Sequence, residues 1–190
     1  GLMFLEGQDT ETASVDQFTS SVFWRTGHDT YFKEAFNDTI YRVDGTGLQP
    51  DISFNLGEYL WTYQNRFQKK PDKRIYISQI LDSENLLFFR FITGLYNDDN
   101  RKLYNGVFDK KTGQTVISPL EKGIKDDITN FMTYQPLTVS SSGEYAGVIS
   151  AEKIVSWFDE YPDRISKLPE EVQSLKNIGE EDNLVVVILE

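Results

Sequence analysis

The sequence contains no cysteine. Disulfides, thiolate catalysis and cysteine-bound zinc are therefore excluded. The absence does not fix the compartment, because a secreted domain with a large core needs no disulfide. Histidine is reduced to one residue, His28. The two methionines are too few for a methionine-rich adaptable groove. No apolar run is long enough to cross a bilayer, and no signal peptide is legible at Gly1-Leu2-Met3-Phe4-Leu5. A leading glycine before sequence of mid-domain character suggests a trimmed start, with an upstream signal removed. Positive charge is scarce: 19 Lys and Arg stand against 30 Asp and Glu, a formal net charge of −11. Phosphate backbones are repelled by such a surface, which sets nucleic acid aside as a partner. The acidity serves solubility, or attracts cations or a basic partner.

Aromatic residues are plentiful, with 13 Phe, 10 Tyr and 3 Trp. Such side chains fit the pleated, half-buried surface of a sheet. Two aromatic-rich strands end alike, in Asp44-Gly45-Thr46-Gly47 and in Asp109-Lys110-Lys111-Thr112-Gly113. Asp bonds its own backbone two residues on and Gly takes positive φ freely, so both read as hairpin turns. A recurring unit points to modules in series.

The pattern predicts strands over residues 21–26, 30–36, 38–44 and 48–56, with Pro50 marking a strand start or an edge. A connector over 57–74 carries Tyr59, Leu60, Trp61, Tyr63 and Phe67 at spacings suited to one short helical face. Further strands are predicted over 74–82, 85–93, 102–109 and 114–118, then over 137–140 and 144–150 around Ser141-Ser142-Gly143. Residues 151–160 read as a helix with Ser150 as N-cap, and Pro169-Glu170-Glu171 opens a second helix running to about Lys176. The unbroken run Leu184-Val185-Val186-Val187-Ile188-Leu189 reads as a strand buried on both faces. The groups open near Ser21, Ile75 and Thr133, at intervals of 54 and 58 residues.

These segments resemble the six-bladed β-propeller proteins of bacterial cell envelopes, many of them predicted lipoproteins of unknown function. Phe36-Asn37-Asp38-Thr39-Ile40-Tyr41-Arg42-Val43, Phe108-Asp109-Lys110-Lys111-Thr112-Gly113 and the tail Glu180-Glu181-Asp182-Asn183-Leu184-Val185-Val186-Val187 carry the resemblance. It implies an all-β fold with minor α: a partial propeller of about three antiparallel blades over residues 1–190, with short helices near the C-terminus. The blade-like groups fall at about 18–56, 74–118 and 133–190. A full member would be about twice as long, so the chain corresponds to a C-terminal half. Its bare strand edges then need local caps or a second copy completing the ring, a homodimer. The resemblance also implies the periplasm or the outer surface, with lipid anchoring through an N-terminus ahead of this one.

Several residues are candidates for chemistry. His28, in Gly27-His28-Asp29, is a turn residue unless Asp29 or a carboxylate from another blade pairs with it. Asp98 and Asp99, in Asn97-Asp98-Asp99-Asn100, are the candidate metal ligands, with calcium as the cation. Against that, the Asp-x-Asp-x-Asp-Gly spacing is missing and a solvated loop explains them as well. Tyr59, Trp61 and Tyr63 are the candidate ligand-binding residues, either stacking on a sugar ring or packing between blades. No nucleophile elbow is present. The balance falls toward a non-enzymatic ligand- or protein-binding or scaffold module, its partner a protein or a saccharide. The competing reading is a hydrolase or lyase acting on a saccharide or small ester, which rests on fold analogy.

Overall fold

The computed structural model describes residues 21–65, 73–95 and 99–189. The chain is mostly β, with three sheets of antiparallel strands and few short helices. Its contacts gather into two compact units, whose boundaries fall at Ser78/Gln79, Arg90/Phe91 and Lys102/Leu103. The short apolar start, Leu2 to Leu5, lies outside the described residues.

In the first unit, β1 (Val22–Thr26), β2 (Asp29–Lys33), β3 (Thr39–Asp44) and β4 (Gly47–Ser53) form a sheet in chain order. Cross-strand aromatic pairs join β1 to β2. The rings of Phe23 and Phe32 lie 4.6 Å apart and those of Trp24 and Tyr31 5.8 Å apart, the kind of contact that stabilises a sheet pair by some tenths of a kcal/mol, up to ~1. The β3–β4 turn closes as its sequence predicts, with the Thr46 amide donating to Asp44 Oδ1 at 2.7 Å. Pro50 sits on the edge strand, where the register slips between Ile40 and Tyr41. A residue without an amide hydrogen is tolerated at such a bulge.

β2 ends three residues before the predicted strand does. Phe36 lies in the turn with φ +56° and is buried. Its ring packs 5.1 Å from Trp61 and 5.6 Å from Tyr76, edge-on and tilted. These three, with Ile92 and Leu95, are the first unit's core. Burial of the ring holds a bulky residue in a left-handed conformation that it would not adopt alone.

β5 (Ile75–Asp82), β6 (Leu86–Thr93), β7 (Lys102–Asp109) and β8 (Thr115–Pro119) form a second sheet, again in chain order. Its residues 75–78, 91–93 and 102 belong to the first unit and the others to the second. Gly106 in β7 is covered by the Phe89 ring, so closely that a Cβ there would overlap it.

The second unit also holds the third sheet, in the order β11 (Val185–Leu189), β10 (Tyr145–Ile149), β9 (Thr138–Val139). Helix α1 (Ala151–Glu160) buries Ala151, Ile154, Trp157 and Phe158, as its 3.6-residue period requires. Ser150 occupies the N-cap position without a side-chain capping bond. α2 (Glu170–Ser174) starts after Pro169 and tightens into a 3-10 turn over Leu175–Asn177. The tail strand is not buried on both faces. β11 is an edge strand, with Val186 and Ile188 exposed and Val185, Val187 and Leu189 turned toward packed neighbours. A β-branched run fits a half-covered edge as well as a buried centre, and the run alone does not separate them.

Candidate functional site

Of the three aromatic candidates, Tyr59 and Tyr63 are 43% and 59% exposed, whereas Trp61 is 2% exposed within the first core. An indole packed against Phe36 and Tyr76 offers no free face to a sugar. The single helix expected here is instead two short 3-10 turns, Gly57–Tyr59 and Tyr63–Asn65. Arg74 explains the break. Its Nη1 donates to the carbonyls of Glu58 (2.5 Å) and Leu60 (2.8 Å), and Leu60 forms a parallel bridge with Ile75. Carbonyls taken in this way are lost to a helical ladder. Phe67 and Asp98 lie outside the described residues. Asp99 is exposed in a turn, as is His28.

A polar tie that the sequence does not reveal lies in the second unit. Lys110, in the second hairpin turn, reaches the buried Asp82 at 2.6 Å and donates to the Ser83 carbonyl at 2.8 Å. The Tyr145 hydroxyl stands 2.9 Å from Ser83 Oγ and donates to the Leu86 carbonyl at 2.8 Å. Burial raises the Tyr145 pKa. These bonds tie the turn at Ser83 to the Lys110 turn and to β10. Asp109 accepts the amides of Lys111 and Thr112 at 2.8 and 3.1 Å, and those bonds lower its pKa. Asp44 is lowered likewise, chiefly by the Thr46 hydroxyl.

A concave feature of the second unit is built around residues 124–134, a stretch with no predicted element. Ile124 and Tyr134 exchange both backbone hydrogen bonds, at 2.8 and 2.7 Å, and pinch the intervening nine residues into a loop. Inside it, Asp126 Oδ1 accepts the amides of Ile128 (3.0 Å) and Thr129 (2.9 Å), and Thr129 Oγ1 accepts the Phe131 amide (3.2 Å). Partial burial acts to raise the Asp126 pKa, but these bonds and the Thr129 hydroxyl outweigh it and the net shift is downward. Gln135 anchors the exit of the loop through the Leu120 carbonyl at 2.8 Å.

A cavity of about 580 Å³ borders this loop. Ile124, Ile128 and Met132 line it from the loop, Ile149 and Val172 from β10 and α2, and Val187 from β11. Charged groups line it too: Lys125, Asp126, Asp127 and Glu171. Ile128 is 79% exposed, and Val186 and Ile188 beside it are exposed as well. The volume suits a small ligand, and the surface is apolar with a few polar groups, the usual make-up of a binding cavity. The phenol of Tyr134 is buried within the wall and its pKa is pushed up to about 12 by desolvation. Among the described residues, no group of three or more His, Cys, Asp or Glu converges as metal ligands would. The arrangement can therefore hold an apolar body, with Lys125, Asp126, Asp127 and Glu171 as the charged groups around it.

Residues 5–190 match a family described as a domain of unknown function, DUF4934. No curated protein matches the sequence. Among solved structures, a protein of Bacteroides fragilis NCTC 9343 named "Putative exported protein" is similar at a TM-score of 0.51 and 18% identity. The likeness covers 88% of this chain and 49% of that one, so the chain spans about half the length of that protein. At this identity it speaks for the fold alone. No helix among the described residues is long and apolar enough to cross a membrane.

Proposed function

The chain belongs to the DUF4934 family, and from that premise we propose that it is a non-enzymatic binding module of a bacterial cell envelope. The ligand, or a side chain of a partner, places an apolar body in the cavity bordered by residues 124–134. One observation carries this reading: an apolar cavity of about 580 Å³ lies beside a loop whose central Ile128 is left exposed. Exposed apolar side chains around a concavity mark interaction sites more often than they serve folding. The name of the Bacteroides protein, an exported one, supports the envelope location, as does the earlier resemblance.

A neutral fluorescent probe, N-phenyl-1-naphthylamine, tests the site. It should bind the native chain saturably at one equivalent. Val172→Trp, which fills the cavity, and Ile128→Asp, which makes its edge polar, should each weaken binding at least tenfold. Undiminished binding in both variants would remove the cavity from the proposal. Turnover of ester or glycoside substrates by the parent chain would replace the binding role with an enzymatic one.

The finer architecture we propose is a partial propeller, with the three antiparallel sheets as successive blades. Apolar residues exposed on edge strands, Phe23 on β1, Val116 and Ile117 on β8, Val186 and Ile188 on β11, support a further half that covers them. A second copy is one source of that half. Light scattering then gives twice 21.9 kDa, and a strictly 21.9 kDa species at high concentration removes the homodimer.

A further inference from the structure

A second concavity of the second unit, about 600 Å³, is lined by residues 125, 126 and 128–133 together with Arg164, Lys167 and Leu168. Its charge runs against that of the chain. Three cations, Lys125, Arg164 and Lys167, stand here with a single carboxylate, Asp126, on a protein of net charge −11. Asp126 is already committed to its own turn, where it accepts the amides of Ile128 and Thr129 and the Thr129 hydroxyl. None of the three cationic side chains makes a hydrogen bond or ion pair among the described residues. Arg164 is nevertheless held in place, its guanidinium carbon 4.5 Å from the centroid of the Tyr161 ring. Stacking on the ring face leaves the N–H edge of the guanidinium available, and that planar fork matches a carboxylate or a phosphate. Phe131, Met132 and Leu168 supply an apolar wall, and Asn130 and Thr133 supply groups that pair with hydroxyls.

We propose that this groove binds a small acidic saccharide, its carboxylate or phosphate engaged by Arg164 with Lys125 and Lys167 in support. A long polyanion is disfavoured, because beyond the groove it would meet the acidic remainder of the surface. The groove and the apolar cavity share one loop wall, including Lys125, Ile128 and Met132, but Arg164 and Lys167 line the groove alone, so substitutions there test this inference apart from occupancy of the cavity.

Isothermal titration of the intact chain with digalacturonate, galactose-6-phosphate, galactose and inorganic phosphate tests it. At least one acidic sugar should bind at one equivalent, tenfold or more tighter than galactose, and which one binds distinguishes carboxylate from phosphate. Arg164→Gln and the double variant Lys125→Gln/Lys167→Gln should each weaken it at least tenfold with the melting temperature unchanged. Arg164→Lys, which keeps the charge and loses the fork, should recover only part of the affinity. Equal binding of galactose, inorganic phosphate as tight as the acidic sugars, no binding of either acidic sugar, or affinity indifferent to these substitutions would each overturn the proposal. The response of N-phenyl-1-naphthylamine in the same variants shows separately whether the apolar cavity is intact.

Discussion

In the first unit, four strands of five to seven residues follow one another as a plain meander, and a turn residue, Phe36, fills the interior beside Trp61 and Tyr76. In the second unit, the third sheet keeps one strand of only two residues, β9, and α1 and α2 pack against the core in place of a fourth strand. The helices cover the core incompletely. What remains is a pinched loop with two concavities along it. Regular repetition has produced a filled scaffold, and departure from it has produced space that a ligand can use.

The two units differ again in how each treats a lysine. Lys33, at the end of β2, is 5% exposed, and its ammonium donates to the Glu34 carbonyl at 3.1 Å. Desolvation pulls its pKa down to about 8, against the raising effect of Asp38 and Glu34. Lys110 instead meets a buried carboxylate directly. A burial cost is left standing in one case and answered by a partner in the other.

The largest expected effects break this comparison most sharply. Lys110→Met removes the ion pair with the buried Asp82 and should lower unfolding free energy by up to about 3–5 kcal/mol in urea denaturation. Trp61→Ala should lower it by a similar ~3–5 kcal/mol through lost packing, whereas Tyr59→Ala and Tyr63→Ala should stay within about 0.5 kcal/mol. Equal losses at all three aromatic positions would mean that the first core is not where stability resides.

Lys33→Met should act in the opposite direction. Below about pH 8 the folded chain carries a buried ammonium that the unfolded chain solvates. Between about 8 and 10.5 the unfolded state keeps a proton that the folded state has lost, so stability rises with pH, by up to roughly 3 kcal/mol. The variant should start more stable at neutral pH and lose that rise. The second unit bends the curve the other way. Tyr134, raised to about 12, and Tyr145, raised also, stay protonated when folded. Their contribution is present below pH 10 and is lost as pH climbs toward the folded values. Denaturation from pH 7 to 11 should therefore show a rise to a maximum near pH 10 in the parent chain, and only the decline above pH 10 in Lys33→Met.

The smallest effects concern the two similar turns. Asp44 and Asp109 both have lowered pKa values from hydrogen bonds to their own turns. Their stabilising effect is present above the ordinary Asp range and is lost as pH falls through the lowered values. Asp44→Ala and Asp109→Ala should each lower the melting temperature slightly at pH 7, with the difference fading at acid pH.

Much of the scaffold was legible in the chain. β7 and α1 occupy the predicted residues 102–109 and 151–160, and both aspartate turns close as their residue types require. Local chemistry decides these features. Phe36 was misread as strand because its left-handed turn is enforced by Trp61 and Tyr76, which are distant in sequence. The even β-branching of β11 concealed its alternation of covered and exposed residues. The pairing of Lys110 left no trace in its own turn, because its partner, Asp82, lies a whole hairpin earlier. The cavity drew no signal at all, since Ile128, Ile149, Val172 and Val187 come together only through tertiary placement. Exposed apolar Ile128 amid Asp126, Asp127 and Thr129 was the one local hint.

Chemical-shift mapping on the ¹⁵N-labelled chain, titrated with N-phenyl-1-naphthylamine, tests most directly whether recognition resides in the irregular unit. The amides of residues 124–134, 171–175 and 185–189 should move together with one saturation curve, while those of 57–63 stay still. Shifts centred on Tyr59 and Tyr63, with residues 124–134 unmoved, would contradict the account.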